Sequence, residues 1–204
     1  MSTTLWIIRH GETAWNAEGR FQGHVDIDLN AQGKEQARQL AARLAREHAR
    51  APFAAAFSSD LLRARATAEL AISGLGLGVQ LRPALRERNF GVLAAQTRAE
   101  MEANHPEICA AWKASLADYV IPGGESHAHF AARVLDTLKE IAATHGGPVL
   151  VVTHGGALDC VYRAATGLHL DIRREDPIPN ASISRVQVSR EGRFAIERWG
   201  EPPQ

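Results

Sequence analysis

Apolar residues recur along this chain with two different periods, and the switches between them outline the fold. Leu5-Trp6-Ile7-Ile8 is an unbroken apolar run near the N-terminus, the pattern of a strand buried on both faces of a parallel sheet. Glu12 to Asn16 can open a helical turn behind it, and Phe21 to Asp28 lacks helical periodicity and reads as a loop. Asn30 supplies an N-cap, after which Ala37, Leu40, Ala41, Leu44 and Ala45 recur at helical spacing and leave Lys34, Arg38, Arg43 and Arg46 for solvent. Pro52 closes that helix. Phe53 to Phe57 reads as a second strand, and Ser58-Ser59-Asp60 supplies capping chemistry for a helix running to about Ile72. Gly74, Gly76 and Gly78 form a turn before the strand Val79-Gln80-Leu81; preceding a strand, they do not make a dinucleotide loop.

Between residues 96 and 120 two short helical patterns meet at Pro106, expected to cover the crevice at the strand tips, with Trp112 in the core. Phe130, Val134, Leu138 and Ile141 mark a long amphipathic helix. Val149-Leu150-Val151-Val152 is another buried strand, followed by a helix to about Thr166 that Gly167 terminates. Beyond the turn Asp176-Pro177-Ile178-Pro179, Ala181 to Val188 and Phe194 to Trp199 alternate as a hairpin around Arg190-Glu191-Gly192 at the sheet's edge. Strands alternating with helices predict an α/β fold, a three-layer α/β/α sandwich with a mostly parallel central sheet, as a single domain over residues 1–204.

Composition narrows the function classes. Lys+Arg and Asp+Glu both number 23, so charge gives no reason to expect a nucleic-acid or membrane partner, and any anion site must be local. Cys109 and Cys160 lack metal-ligand or disulfide-framework spacing, and His127 and His129, two apart, make a poor metal pair. Free thiols, no signal-peptide pattern and no membrane-length apolar stretch predict a soluble cytoplasmic protein. A homodimer stays open.

The candidate chemistry sits where apolar strands end. The first run delivers Arg9-His10-Gly11, and in parallel sheets ligands bind beyond the carboxyl ends of the strands. Arg9 offers a planar fork for phosphate oxygens, a neutral His10 can attack phosphorus, and Gly11 lets the backbone approach a bound group. Spacing alone also allows a satisfied surface pair. Asn16 and Gln22, with Gly23 in the same loop, could reach a phosphate, whereas Asp26 and Asp28 are assigned no chemistry. Arg63, in the first turn of its helix with Thr67 one turn on, is placed either to hold a phosphate or to lie exposed. Thr153-His154-Gly155-Gly156 repeats the first tip's logic.

Arg9-His10-Gly11-Glu12-Thr13 resembles the signature of the histidine phosphatase superfamily, which includes cofactor-dependent phosphoglycerate mutases and many small phosphatases. Ser59 to Ala68 is similar to its second motif, Ser-x-x-x-Arg-Ala-x-x-Thr-Ala, and Leu85 to Gly91 to its Leu-x-Glu-x-x-Phe-Gly segment. The resemblance implies a phosphoglycerate mutase-like fold, Arg63 as the second phosphate-binding arginine, Glu87 as the acid and His154 as the second histidine. Leu93-Ala94-Ala95 departs from the family's Trp-Glu-Gly. It further implies hydrolysis of a small-molecule phosphate monoester through a phosphohistidine at His10, with Arg9, Arg63 and His154 neutralising the phosphoryl group, Gly155 beside them, and no metal or cofactor. A hydrogen bond from the other His10 ring nitrogen to Gly11 is expected to fix its tautomer. The compact stretch between Glu87 and His154, and Thr13 where mutases usually carry serine, lean toward phosphatase over phosphoglycerate mutase; a non-catalytic phospholigand-binding protein is the third reading.

Overall fold

Leu5, Trp6, Ile7 and Ile8 lie within β1 (Ser2–Arg9) and are all buried, because this strand sits inside the sheet with a neighbour on each side. The computed structural model describes residues 2–172 and 174–203. β1 pairs in parallel with β4 (Val149–Thr153) and antiparallel with β5 (Ile183–Ser189). With β2 (Ala55–Ser58), β3 (Val79–Leu81) and β6 (Phe194–Glu201) the order is β3-β2-β4-β1-β5-β6. Only β5 runs against the others, so the sheet is mostly parallel, with the predicted hairpin finishing one edge.

The period of two along the central strands sorts their side chains into two cores. Leu5, Ile7, Val149 and Val151 pack with Phe130, Val134, Leu138 and Ile141 of α6 (His127–Thr144) and with Leu158 and Val161 of α7 (Gly155–Thr166). Trp6, Ile8, Leu150 and Val152 face the other way, onto Leu40 and Leu44 of α2 (Ala31–Arg50) and Ala64 and Ala68 of α3 (Leu62–Ala71). Helices thus cover both faces of the sheet, the three-layer sandwich the alternation predicts. α4 (Arg98–Asn104) and α5 (Pro106–Ala114) meet at Pro106 and bury Met101 and Cys109 with Leu93 and Ile121 in a third, smaller cluster. No helix among the described residues is long and apolar enough to cross a membrane.

Local expectations shift in four places. β2 begins at Ala55, because the Pro52-Phe53 stretch stays outside the ladder while the Phe53 ring packs edge-on against Trp6 at 5.3 Å. Ser58, Ser59 and Asp60 do not cap α3; the N-cap is Leu61, and Asp26 Oδ1 from the preceding loop accepts the Leu62 N–H at 2.6 Å. Asp26 therefore has a structural role that alternating loop acids did not suggest. In α2, Ala45 turns to solvent, and Arg43 ties the helix to β6 through Glu201 at 2.6 Å.

The buried stripe of α2 starts at Gly33, which bears on the strand tip. A Cβ on Gly11 would sit 2.5 Å from the Gly33 carbonyl oxygen, and one on Gly33 would run into the backbone of Glu12. Gly11 is thus needed for close approach to α2. Asn30 clamps the contact by accepting the Gly33 N–H and donating to Glu12 Oε1, both at 2.7 Å. Gly33→Ala, ordinarily favourable inside a helix, should here cost about 1–3 kcal/mol of overpacking. Urea unfolding should show a lowered midpoint for Gly33→Ala and none for Gly146→Ala, whose added Cβ meets open space.

Candidate active site

Parallel pairing of β1 with β4, and of β4 with β2, brings three strand ends side by side. The ladder runs just past the strands: His10 N–H donates to the Thr153 carbonyl at 2.9 Å and Ser59 N–H to Val152 at 3.0 Å. Arg9, His10, Arg63, Glu87, Asn16, Gln22 and Gly155 then line one cavity of about 350 Å³. A larger groove of about 900 Å³, beside Ser2, Thr3 and Lys139, lies at the opposite end of the sheet and contains none of them.

His10 is buried, and its Nδ1 is 2.7 Å from the Gly11 carbonyl oxygen. A carbonyl only accepts, so Nδ1 carries the proton and Nε2 keeps its lone pair. Burial first, then the charges of Arg63 and Arg9, hold the ring well below the ordinary histidine range and therefore neutral. His154, its ring centre 5.1 Å from that of His10, is driven down by burial and by Arg63. Its Nε2 is 2.9 Å from Ser59 Oγ, and its Nδ1 is buried without a partner. If the Ser59 hydroxyl donates to Nε2, Nδ1 is a free N–H donor.

Arg63 is 1% exposed, although it lies in the first turn of α3. Its Nη1 and Nη2 donate to the carbonyls of Val25 and Gly23 at 2.9 and 2.8 Å, and its Nε has no partner. Burial lowers it to about 10, which leaves it charged at neutral pH. Gly23 thus serves the site by holding Arg63 and does not itself line the cavity. Arg9 donates from Nη1 to Ile178 at 2.6 Å and likewise has a buried, unpartnered Nε. Gln22 is buried with Oε1 unpaired. Buried polar groups are nearly always satisfied, so a cluster of orphans around one cavity marks a place built for a polar guest.

Glu87 pairs with neither flanking arginine. Arg86 forks onto Asp60 at 2.6 and 2.7 Å, and Arg88 donates to the Glu125 carbonyl and lies over Trp112. The carboxylate instead accepts the N–H of Arg88 at 2.8 Å and that of Gly156 at 3.0 Å, the latter from the first turn of α7. A Cβ on Gly156 would strike this carboxylate, which accounts for the second glycine after His154.

Several contributors were not apparent in the sequence. Ser59 read as a cap, yet it partners His154 from the end of β2, a position where the strand-tip logic could have found it. Thr67 accepts the Gly11 N–H at 2.9 Å and donates to the Arg63 carbonyl at 2.6 Å, tying α3 to the first tip. Asn180 donates to the His10 carbonyl and to Asn16 Oδ1. Thr13 and Asn16 form a capping box over α1 (Ala14–Ala17), so that turn's first donors are spent on its own side chains. Phe21, Phe90 and Arg174 complete the walls, and Trp112 lines an adjoining cavity. Among the described residues no three His, Cys, Asp or Glu gather in a metal-binding cluster.

Fold and site together define an α/β protein whose strand ends converge on a cavity walled by buried guanidiniums, beside two buried neutral imidazoles. The chain belongs to the histidine phosphatase superfamily (branch 1), whose sequence profile matches residues 5–202. It is 37% identical to the metal-independent phosphoserine phosphatase of Arabidopsis thaliana over 98% of this chain and 82% of that one. To phosphoglycerate mutase-like protein 4 of the same plant it is 35% identical, over 96% and 84% respectively. Its fold superposes on the mycobacterial glucosyl-3-phosphoglycerate phosphatase solved with VO3 at a TM-score of 0.80 and 28% identity, covering 97% of this chain and 99% of the other.

Neutral burial of His10 and His154 has a sign in stability. Unfolded, each protonates near 6.5; folded, each stays neutral well below that. As pH falls through 6.5 the unfolded chain binds protons that the fold refuses, so this contribution is complete above that pH and is lost below it. The melting temperature should therefore fall between pH 6.5 and about pH 5, before the depressed carboxylates Asp60 and Glu125 matter. His154→Asn should flatten the decline without abolishing it, since His24 and His127 are also lowered by burial. Identical slopes for the two proteins would contradict a buried neutral His154.

Proposed function

We propose that this protein hydrolyses a phosphate monoester through a covalent phosphohistidine at His10, without a metal. One observation carries the reading: His10 is held neutral with Nδ1 tied to the Gly11 carbonyl, among the unpartnered nitrogens of Arg9, Arg63 and His154. Nε2 attacks phosphorus in line, and the N–P bond forms as the P–O bond to the alcohol breaks. The arginine Nε–H groups and His154 Nδ1–H are donors for the equatorial oxygens, electrostatic stabilisation that is already organised before substrate arrives. The Nδ1–H···O bond to Gly11 supports the charge that develops on the imidazole. Glu87, aimed by the N–H groups of Arg88 and Gly156, delivers a proton to the departing oxygen. It then takes one from the water that attacks the phosphohistidine, which releases phosphate and restores His10.

The phosphatase named among its relatives as metal-independent supports the metal-free chemistry, and activity should survive exhaustive chelation. Acid-quenched protein after incubation with labelled substrate should carry acid-labile, base-stable phosphate. Equal labelling of His10→Ala would remove His10 from the reaction. Glu87→Gln should cost roughly 10²–10⁴-fold on an alkyl phosphate and much less on a nitrophenyl phosphate, whose anion leaves unaided. An equal loss on both esters would make Glu87 a supporting group or a base toward water only.

The mutase-like relative keeps one rival in view, in which a phosphoglycerate hydroxyl meets the phosphohistidine in place of water. The short chain between Glu87 and His154 supports hydrolysis. Phosphate release should therefore proceed without 2,3-bisphosphoglycerate and exceed interconversion of 3- and 2-phosphoglycerate; mutase turnover that outruns release and needs bisphosphoglycerate priming would reverse that order.

A further inference from the structure

Arg174, on the irregular segment between α7 and β5, has no part in the reaction above, yet its side chain lines the same cavity as Arg9, His10 and Arg63. Its Nε donates to Asp159 Oδ1 at 2.9 Å, whereas its Nη1 is buried without a partner among the described residues. The segment is fastened in place. Arg163, one turn along α7 from Asp159, donates to Asp159 Oδ2 at 2.7 Å and to the His169 carbonyl at 2.6 Å. Tyr162 donates to Asp176 at 2.5 Å, and the Arg174 guanidinium lies 5.8 Å from the Tyr162 ring centre. A guanidinium held this way is preorganised, so little side-chain freedom remains to be lost when an anion binds.

Arg163 and Arg174 share the single carboxylate of Asp159, so Asp159 by itself matches only one of the two. Arg20, also in the wall, is matched by Glu18 and Glu100. Arg9 and Arg63 answer the two charges of a phosphate monoester, and Glu87 is assigned to the leaving oxygen. Arg174 is a further cation on this wall, near enough to Arg9 to disfavour that residue's charge. A carboxylate brings one negative charge; a second phosphate would bring nearly two.

We infer that Arg174 Nη1 receives a carboxylate on the leaving portion of the substrate, so that the site takes phosphate monoesters that are also carboxylates. This rests on the phosphatase reading and adds a specificity residue to it. 3-Phosphoglycerate and glycerol 3-phosphate serve as probes because they differ only in a carboxylate replaced by a hydroxymethyl group. Calorimetric titration on a His10→Ala background removes turnover. There, 3-phosphoglycerate should bind more tightly, and Arg174→Met should shrink the ratio of the two affinities by about 10–100-fold, the range of a charge-assisted hydrogen bond. Arg174→Lys, which keeps the charge but not the fork, should shrink it less, and it reads the same ratio should Arg174→Met fail to fold. No preference in the His10→Ala protein, equal weakening of both probes, or a loss that follows Arg98→Met at the adjoining cavity instead would overturn the inference. Hydrolysis assays on the wild type separate the two readings: turnover of neither ester counts against the phosphatase, while the binding ratio still decides Arg174.

Discussion

Parallel register is the constraint on which the site depends. Arg9 lies opposite Thr153, and Ser58 opposite Val152, so the residues that follow each strand emerge at one level. His10, Ser59 and His154 then meet without any long loop having to carry them there. A shift of one residue in β1 would exchange Leu5 and Ile7 with Trp6 and Ile8 between the two cores, since successive side chains face opposite layers. The same packing that fixes the strands therefore fixes which way His10 points. The geometry of the site is here a by-product of core geometry, with His10 and His154 held at the ends of rigid strands.

The second constraint is the burial of charge. A guanidinium as enclosed as that of Arg63 is costly unless its N–H groups are met, and the carbonyls of Gly23 and Val25 meet two of them. Those carbonyls belong to the loop that Asp26 anchors to the start of α3, so the loop and the helix hold one another. What remains unmet is the Nε groups of Arg9 and Arg63, two residues of the cavity wall, and the Nδ1 of His154, whose ring packs against that of His10. Neutral histidines suit this economy. Two imidazolium rings beside two buried arginines would raise the repulsion in a space that water barely enters, and burial already disfavours them.

Much of this was legible because it is periodic. The unbroken apolar runs Leu5 to Ile8 and Val149 to Val152, and the helical spacing of Phe130 to Ile141, marked the layers, and the glycines after each histidine marked where strands end. Boundaries were less legible where tertiary contacts decided them: Phe53 is apolar enough for a strand, but its ring is used against Trp6. Caps misled for the same reason. Ser58-Ser59-Asp60 has the composition of an N-cap, yet Ser59 faces His154 and Asp60 faces Arg86, so α3 takes its cap from thirty-odd residues upstream, at Asp26. Gly11 read locally as ligand approach; its contact with Gly33 is visible only once α2 is laid across the strand tip.

The two ends of the cavity differ in how they are made. The end at Arg9, His10 and Arg63 is built by strand tips and helix starts, where a substitution also disturbs the core. The other walls are built from irregular backbone: the Phe21 loop, the segment around Phe90, and the stretch carrying Arg174 and Ile178. At Ala95, where the family's pattern has glycine, the backbone keeps a positive φ of 66°, and Ala95 N–H still bonds the Phe21 carbonyl at 2.8 Å. The positive φ at Ala95 is held at some cost in strain, and Leu93 beside it is fully buried. The backbone at Ala95 thus supports the Phe21 loop from behind the cavity wall. Side chains on such a wall can be exchanged without loosening the strands that hold His10.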